Sequence, residues 1–171
     1  MKIFFLSALL SASLHGAEIT GCSFSTTSAN VELSFAGVYS VKNVELKDGK
    51  IVMPAEENKG RIYENIRILS RQTYEKIFSV LKTRKCQAVK SPRQPDFRLR
   101  SVKKLKSEYR IANAQVEFDS DIVVVFGVIK NYRGELSVSL PKDFVFLNDN
   151  FAASVKKKII SETEKLNSGG I

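Results

Sequence analysis

Imidazole is almost missing from this chain: His15 is the one histidine in 171 residues, and there is no tryptophan. Beyond residue 15, Ser-His-Asp triads, Cys–His pairs and imidazole metal ligands are therefore excluded. Cysteine is scarce too: Cys22 and Cys86, with no other soft ligands, cannot build a structural zinc site. Neither a Walker loop nor a GxGxxG turn is present, so no nucleotide cofactor is expected. Glu56-Glu57 is the one adjacent acidic pair in a loop and reads as a solvated turn, not an acid–base dyad. Asp119 and Asp121 flank a turn without the further oxygen ligands that a calcium loop requires. The expectation is a chain that is not an enzyme and carries no cofactor or metal. Long apolar runs are missing after residue 14, so no transmembrane helix is expected there. Acidic residues are outnumbered, 18 against 27 Lys and Arg, for a net charge of +9. That surplus favours anionic partners such as nucleic acid, anionic lipid or acidic polymers, without choosing among them.

The apolar stretch that does exist comes first. Lys2 precedes Ile3 to Leu14 (IFFLSALLSASL), about the right length for the apolar region of a secretory signal. Small residues follow at Gly16 and Ala17, the expected cleavage point, so residues 1–17 read as a signal peptide. Export, periplasmic or secreted, is the expectation; the alternative is a buried first element of a cytoplasmic protein. Residues 19–22 (ITGC) also fit a lipoprotein box. His15 and Glu18 separate that box from the apolar run, however, and the segment from Ile19 to Phe24 suits a strand. In an oxidising compartment Cys22 and Cys86 can pair; otherwise they are two independent thiols.

Along the chain, alternation predicts strands over 18–24, 30–35 and 38–46. Asp48-Gly49 predicts a hairpin turn returning over 51–53, where Pro54 stops it. Residues 55–60 (AEENKG) read as a polar loop and 61–69 as one further strand. Ser70 is a candidate N-cap, and Tyr74, Ile77, Phe78 and Leu81 share one face of the helix that follows. Residues 83–96 read as a linker, with two prolines and no period. The pattern then restarts with strands at 97–105, 109–118 and 122–129, a turn at 130–134 and a return at 136–140. Asn148 or Asp149 caps a second helix, with Phe151, Val155, Ile159 and Leu166 along one face. The division expected is a signal (1–17), a first unit (18–82), a basic linker (83–96) and a second unit (97–168). Both units are α+β: a small antiparallel sheet with a hairpin and a C-terminal helix. Exposed sheet edges in two such units invite them to pair as a pseudo-dimer.

Several segments carry a resemblance. Residues 18–24 (EITGCSF) are similar to a first strand of the EVTDVRL type. Ile51-Val52-Met53-Pro54 is similar to an FVAMP-like end, and 136–141 (LSVSLP) is similar to it again. Lys76-Ile77 and Lys158-Ile159 each fit a Lys-Ile pair near the start of a helix. These features resemble the SpoVG (stage V sporulation protein G, septation protein) family, over most of residues 18–82 and 97–166. The resemblance implies a small α+β domain that dimerises through sheet edges, and a nucleic-acid-binding regulator linked to cell division. It also implies DNA contact just after the helix, where residues 84–90 stand. The chain departs from the family in having two units behind an export signal. It also has Arg67-Ile68-Leu69 where the family has an Ala-His-Pro-like element.

The charge surplus is local. Between Arg84 and Lys106 stand nine basic residues (Arg84, Lys85, Lys90, Arg93, Arg98, Arg100, Lys103, Lys104, Lys106) and one acidic residue, Asp96, a net of +8. With Lys156 and Lys158 on the second helix, these are the candidate nucleic-acid or anion-binding residues. Salt-dependent, sequence-tolerant phosphate binding is what such a cluster can supply. A solvated strand and linker is the plainer reading. If the strand stays regular, Arg98, Arg100 and Lys104 share a face. Two functions stay open: a septation-type regulator that binds nucleic acid, and an exported module that engages an anionic polymer, lipid headgroups or a protein partner.

Overall fold

A computed structural model describes residues 17–86 and 93–168. Residues 1–16 of the expected signal, His15 among them, and Lys90 lie outside the described residues. The fold is α+β and mostly antiparallel, with a helix at its C-terminal end. One sheet holds β1 (Ile19–Phe24), β2 (Val31–Phe35), β3 (Tyr39–Lys47) and β12 (Phe144–Phe146) in the order β1-β2-β3-β12, with β4 (Lys50–Val52) also on β3. The other holds β8 (Phe97–Lys104), β9 (Arg110–Phe118), β10 (Ile122–Lys130) and β11 (Leu136–Ser139) in the order β11-β10-β9-β8, with β7 (Ile66–Ile68) also on β10. A separate hairpin pairs β5 (Glu56–Asn58) with β6 (Arg61–Tyr63). Two helices complete the fold, α1 (Arg71–Thr83) and α2 (Asp149–Ser168).

The early and late halves of the chain exchange strands. β12, from the late half, pairs with the start of β3 through Phe144↔Val41 and Phe146↔Tyr39. β7, from the early half, pairs with the start of β10 through Ile66↔Val124 and Ile68↔Ile122. Flanking hydrogen bonds match. Lys42 N–H donates to Asp143 O and Val125 N–H to Asn65 O, both at 2.8 Å; Leu147 N–H donates to Val38 O and Leu69 N–H to Asp121 O. Each donated strand runs straight into a capped helix. Ser70 Oγ accepts from Thr73 N–H at 3.1 Å, and Asn148 Oδ1 accepts from Phe151 N–H at 2.9 Å. Such a cap supplies a partner for a helix-end donor that has none of its own.

One continuous core lies between these elements, with buried side chains from both sheets and both helices. Its centre is aromatic. Tyr39 stacks on Phe35 at 5.2 Å and Phe144 at 5.4 Å between ring centroids, and lies tilted against Phe118 at 4.9 Å. Phe151 of α2 meets Phe97 edge-on at 5.6 Å. The Tyr39 hydroxyl is fully buried and finds no hydrogen-bond partner among the described residues. Burial, then the charges of Asp119 and Asp121, push its pKa well above the ordinary 10.0. Removing a stranded hydroxyl from an apolar site relieves its desolvation penalty. Tyr39→Phe is therefore expected to raise stability by about 1 kcal/mol, read as a higher urea midpoint.

Four sequence expectations are corrected. Residues 55–60 are not simply a loop: they form β5 and a turn whose Lys59 and Gly60 have φ of 51° and 72°, the left-handed pair a two-residue hairpin needs. Residues 61–69 are two strands, β6 and β7, separated at Glu64-Asn65 and paired with different partners. In α1 the buried residues are Thr73, Ile77 and Leu81, while Tyr74 and Phe78 sit half-buried beside them, stacked at 6.4 Å. Leu166 is 49% exposed, and Thr163 takes the core side of the last turns of α2.

Candidate anion-binding surface

β8 is an edge strand, and Arg98, Arg100 and Lys103 on it are exposed. Its pairing with β9 slips between Leu99↔Val116 and Ser101↔Gln115, leaving Arg100 as an extra residue. A bulge of this kind shifts the alternation by one. Arg98 and Lys103 therefore point away from the core, opposite Glu117 and Asn113. Lys104 does not continue that face. It sits opposite buried Ala112 and lines a groove of about 560 Å³ with Leu105, Ile111, Lys130 and Glu164, at the end of α2.

Across the sheet, register sets Arg98, Glu117, Val123 and Arg67 in one row over β8, β9, β10 and β7. Glu117 is only 3% exposed, yet both its oxygens are used: Oε1 by Arg98 at 2.7 Å and Oε2 by Arg100 at 3.3 Å. Two guanidinium groups on one carboxylate leave a net positive charge. The next rows add Lys103, and Arg110 stretches over Gly127 while donating from Nε to Asn113 Oδ1 at 2.9 Å. A Cβ at Gly127 would stand 2.8 Å from Arg110 Nε, so glycine is what admits the guanidinium. On or beside these rows stand five cations (Arg67, Arg98, Arg100, Lys103, Arg110) and one carboxylate, Glu117, which Arg98 and Arg100 bond. Arg67 and Lys103 are exposed and form no ion pair among the described residues.

The other candidate cations are placed elsewhere. Arg93 bridges Asp119 at 2.5 Å and Asp96 at 3.2 Å, tying the end of the connection to the β9–β10 turn. Arg84 ends α1 in a left-handed conformation, donates to Ser25 O at 3.2 Å and lies over the Phe24 ring at 5.0 Å. Lys85 is exposed beside a hollow lined by Glu18, Lys76 and Val80. Lys156 and Lys158 ride on α2, which packs against the core face of the second sheet, so the sheet separates them from Arg98 and Arg100. Lys165 and Lys158 bond Glu162, at 2.8 and 3.1 Å, and hold that carboxyl below its ordinary value. Cys22 of β1 and Cys86, just past α1, are joined as a disulfide with 5.8 Å between their Cα atoms. No helix of the described residues is long and apolar enough to cross a membrane, and no group of three or more His, Cys, Asp or Glu among them could hold a metal ion.

Sequence reasoning missed Arg67 and Arg110. Arg67 stands outward in the alternation Ile66-Arg67-Ile68, but nothing local says that β10 is its neighbour. Arg110 shows in the sequence only as one more residue of the strand predicted over 109–118. No family model matches the chain, and neither a curated protein nor a solved structure is significantly similar to it.

Proposed function

We propose that the chain is an exported, non-enzymatic binding module that holds an anionic polymer on the outer face of its second sheet. The observation that carries this reading is the set of five cations spread over the rows of that face, with Glu117 the one carboxylate among them and bonded to two of the five. Cations spread over several rows suit a repeating anion better than a small ligand. The Cys22–Cys86 bond supports export, because disulfides persist in oxidising compartments. The nucleic-acid reading, a septation-linked regulator, draws on the SpoVG resemblance and would use the same face; the disulfide weighs against a reducing cytoplasm.

The architecture reads as two tandem SpoVG-like units folded into an intramolecular pseudo-dimer. Supporting it are the like strand orders, the reciprocal gift of β7 and β12, the matching caps and the two-residue turns at Ala36-Gly37 and Asp119-Ser120, all four with positive φ. One quoted correspondence does not hold. Ile77 falls seven residues after its cap Ser70, whereas Ile159 falls eleven after Asn148, so the two Lys-Ile pairs are not equivalent.

Titration of polyphosphate, heparin and labelled DNA against salt tests the face. Arg67→Ala, Lys103→Ala and Arg110→Ala leave the Glu117 pairs intact and should each lower the log–log salt slope by about 0.7–0.9. Lys156→Ala, behind the sheet, should change little. No binding at low salt, or equal losses on both sides of the sheet, would sink the proposal. A preference for DNA, together with recovery of the chain from the cytoplasm, would favour the regulator instead.

A further inference from the structure

Ala17 is only 1% exposed, and its N–H donates to Asp121 Oδ2 at 2.5 Å in a buried hydrogen bond. Asp121 is itself only 4% exposed and directly precedes β10. Both residues are held from several sides. Asp121 N–H donates to Phe118 O at 2.9 Å, and Asp121 O accepts from Leu69 N–H at 2.6 Å. Lys76 Nζ of α1 donates to Ala17 O at 3.4 Å, and Glu18 O accepts from Ala36 N–H at 2.8 Å as β1 begins. The carboxylate is thus aimed at one particular backbone nitrogen. A neutral amide compensates a buried charge weakly, and a cation at the same place compensates it far better. The sequence contains the means of making one. That nitrogen belongs to the residue after Gly16, where small residues close the apolar run of a secretory signal.

We infer that the leader is cut between Gly16 and Ala17, and that the α-ammonium released at Ala17 forms a buried ion pair with Asp121. This rests on the exported reading and goes beyond it by naming the bond cut and the group that receives the new terminus. Water adds across the Gly16–Ala17 peptide bond. Gly16 leaves as a carboxylate, and the Ala17 nitrogen takes up a proton, the form that prevails at pH 7. A hydrogen bond between a charge and an amide then becomes one between opposite charges. Removal of the leader thereby completes the packing of β1 against the β9–β10 turn and ties the early half of the chain to the late half.

Expression of the full chain with its own leader in a secreting host, followed by intact mass and N-terminal peptide analysis, reads the cut directly. The expected product begins at Ala17. An exported product that begins elsewhere overturns the inference and leaves the exported reading standing; a cytoplasmic product beginning at Met1 overturns both. The pairing is read on the mature chain by acylating free amines at neutral pH. Ala17 in the folded protein should react at least about tenfold more slowly than in the urea-unfolded protein, because reaction requires local opening. Equal rates overturn the pairing. Asp121→Asn should abolish that protection and lower Tm by about 10 °C; protection that survives the substitution overturns the pairing too. Should Asp121→Asn fail to fold, the wild-type acylation rates still decide.

Discussion

Phe144→Ala is expected to destabilise the entire chain by about 3–5 kcal/mol, in a single transition. Phe144 is the first residue of the three-residue strand β12, too short to stand without its partners. It is buried opposite Val41, and its ring meets Tyr39 at 5.4 Å, Phe118 at 6.0 Å, Phe126 at 5.4 Å and Phe146 at 4.9 Å. Those four rings come from β3, β9, β10 and β12, so one side chain joins both sheets. Truncation leaves a cavity that rigid strands cannot close, and the lost aromatic pairs add to the deficit. Urea unfolding followed by far-ultraviolet circular dichroism and by tyrosine fluorescence checks this, with no tryptophan to confuse the second probe. The two curves should coincide, with a lower midpoint and an unchanged slope. Two separated transitions in the wild type would show that the exchanged strand does not couple the halves.

That coupling is also where sequence reading met its limit. β1 to β4 and β8 to β11 are legible by different signals: β2, β3 and β9 by alternation, β10 by a nearly continuous apolar run, and β4 and β11 as returns after turn residues. Asp48 and Gly49, with φ of 49° and 72°, have the backbone that an Asp-Gly hairpin turn was expected to adopt. β12 carries no strand signal in the sequence. Phe-Val-Phe is too short to show a period, and its partner β3 lies about a hundred residues earlier, as Asn43 Nδ2 to Asp143 Oδ1 illustrates. β7 was found only as part of a longer strand, for the same reason. On the candidate face, the basic run was visible but its roles were not. A bulge at Arg100 is invisible in a segment reading RLRSVKK, and it decides that Lys103 faces outward while Lys104 does not. Glu117 sits in a well-alternating strand and gives no sign of being the buried anion that fixes Arg98 and Arg100. Charge counting shows how many cations a segment has; only pairing shows which are already engaged.

Removing the disulfide is the other change of comparable size. Cys22 and Cys86 are 64 residues apart in sequence, and closing a loop of that length restricts the unfolded chain by about 4 kcal/mol in the loop-entropy account. The folded state gives little reason for that gain to be lost. Cys22 is in a regular ladder opposite Leu33, and Cys86 follows a helix end held by Arg84 on Phe24 and Ser25. The Cys22→Ser, Cys86→Ser double variant should therefore unfold at a lower denaturant midpoint by roughly that free energy. Reductant should bring the wild type to the same curve and leave the variant unmoved. The comparison bears on location as well as stability. A chain that relies on this bond would be weakened wherever thiols are kept reduced. If the reduced and oxidised proteins unfold together, the bond contributes nothing to stability and the loop-entropy account fails for this chain.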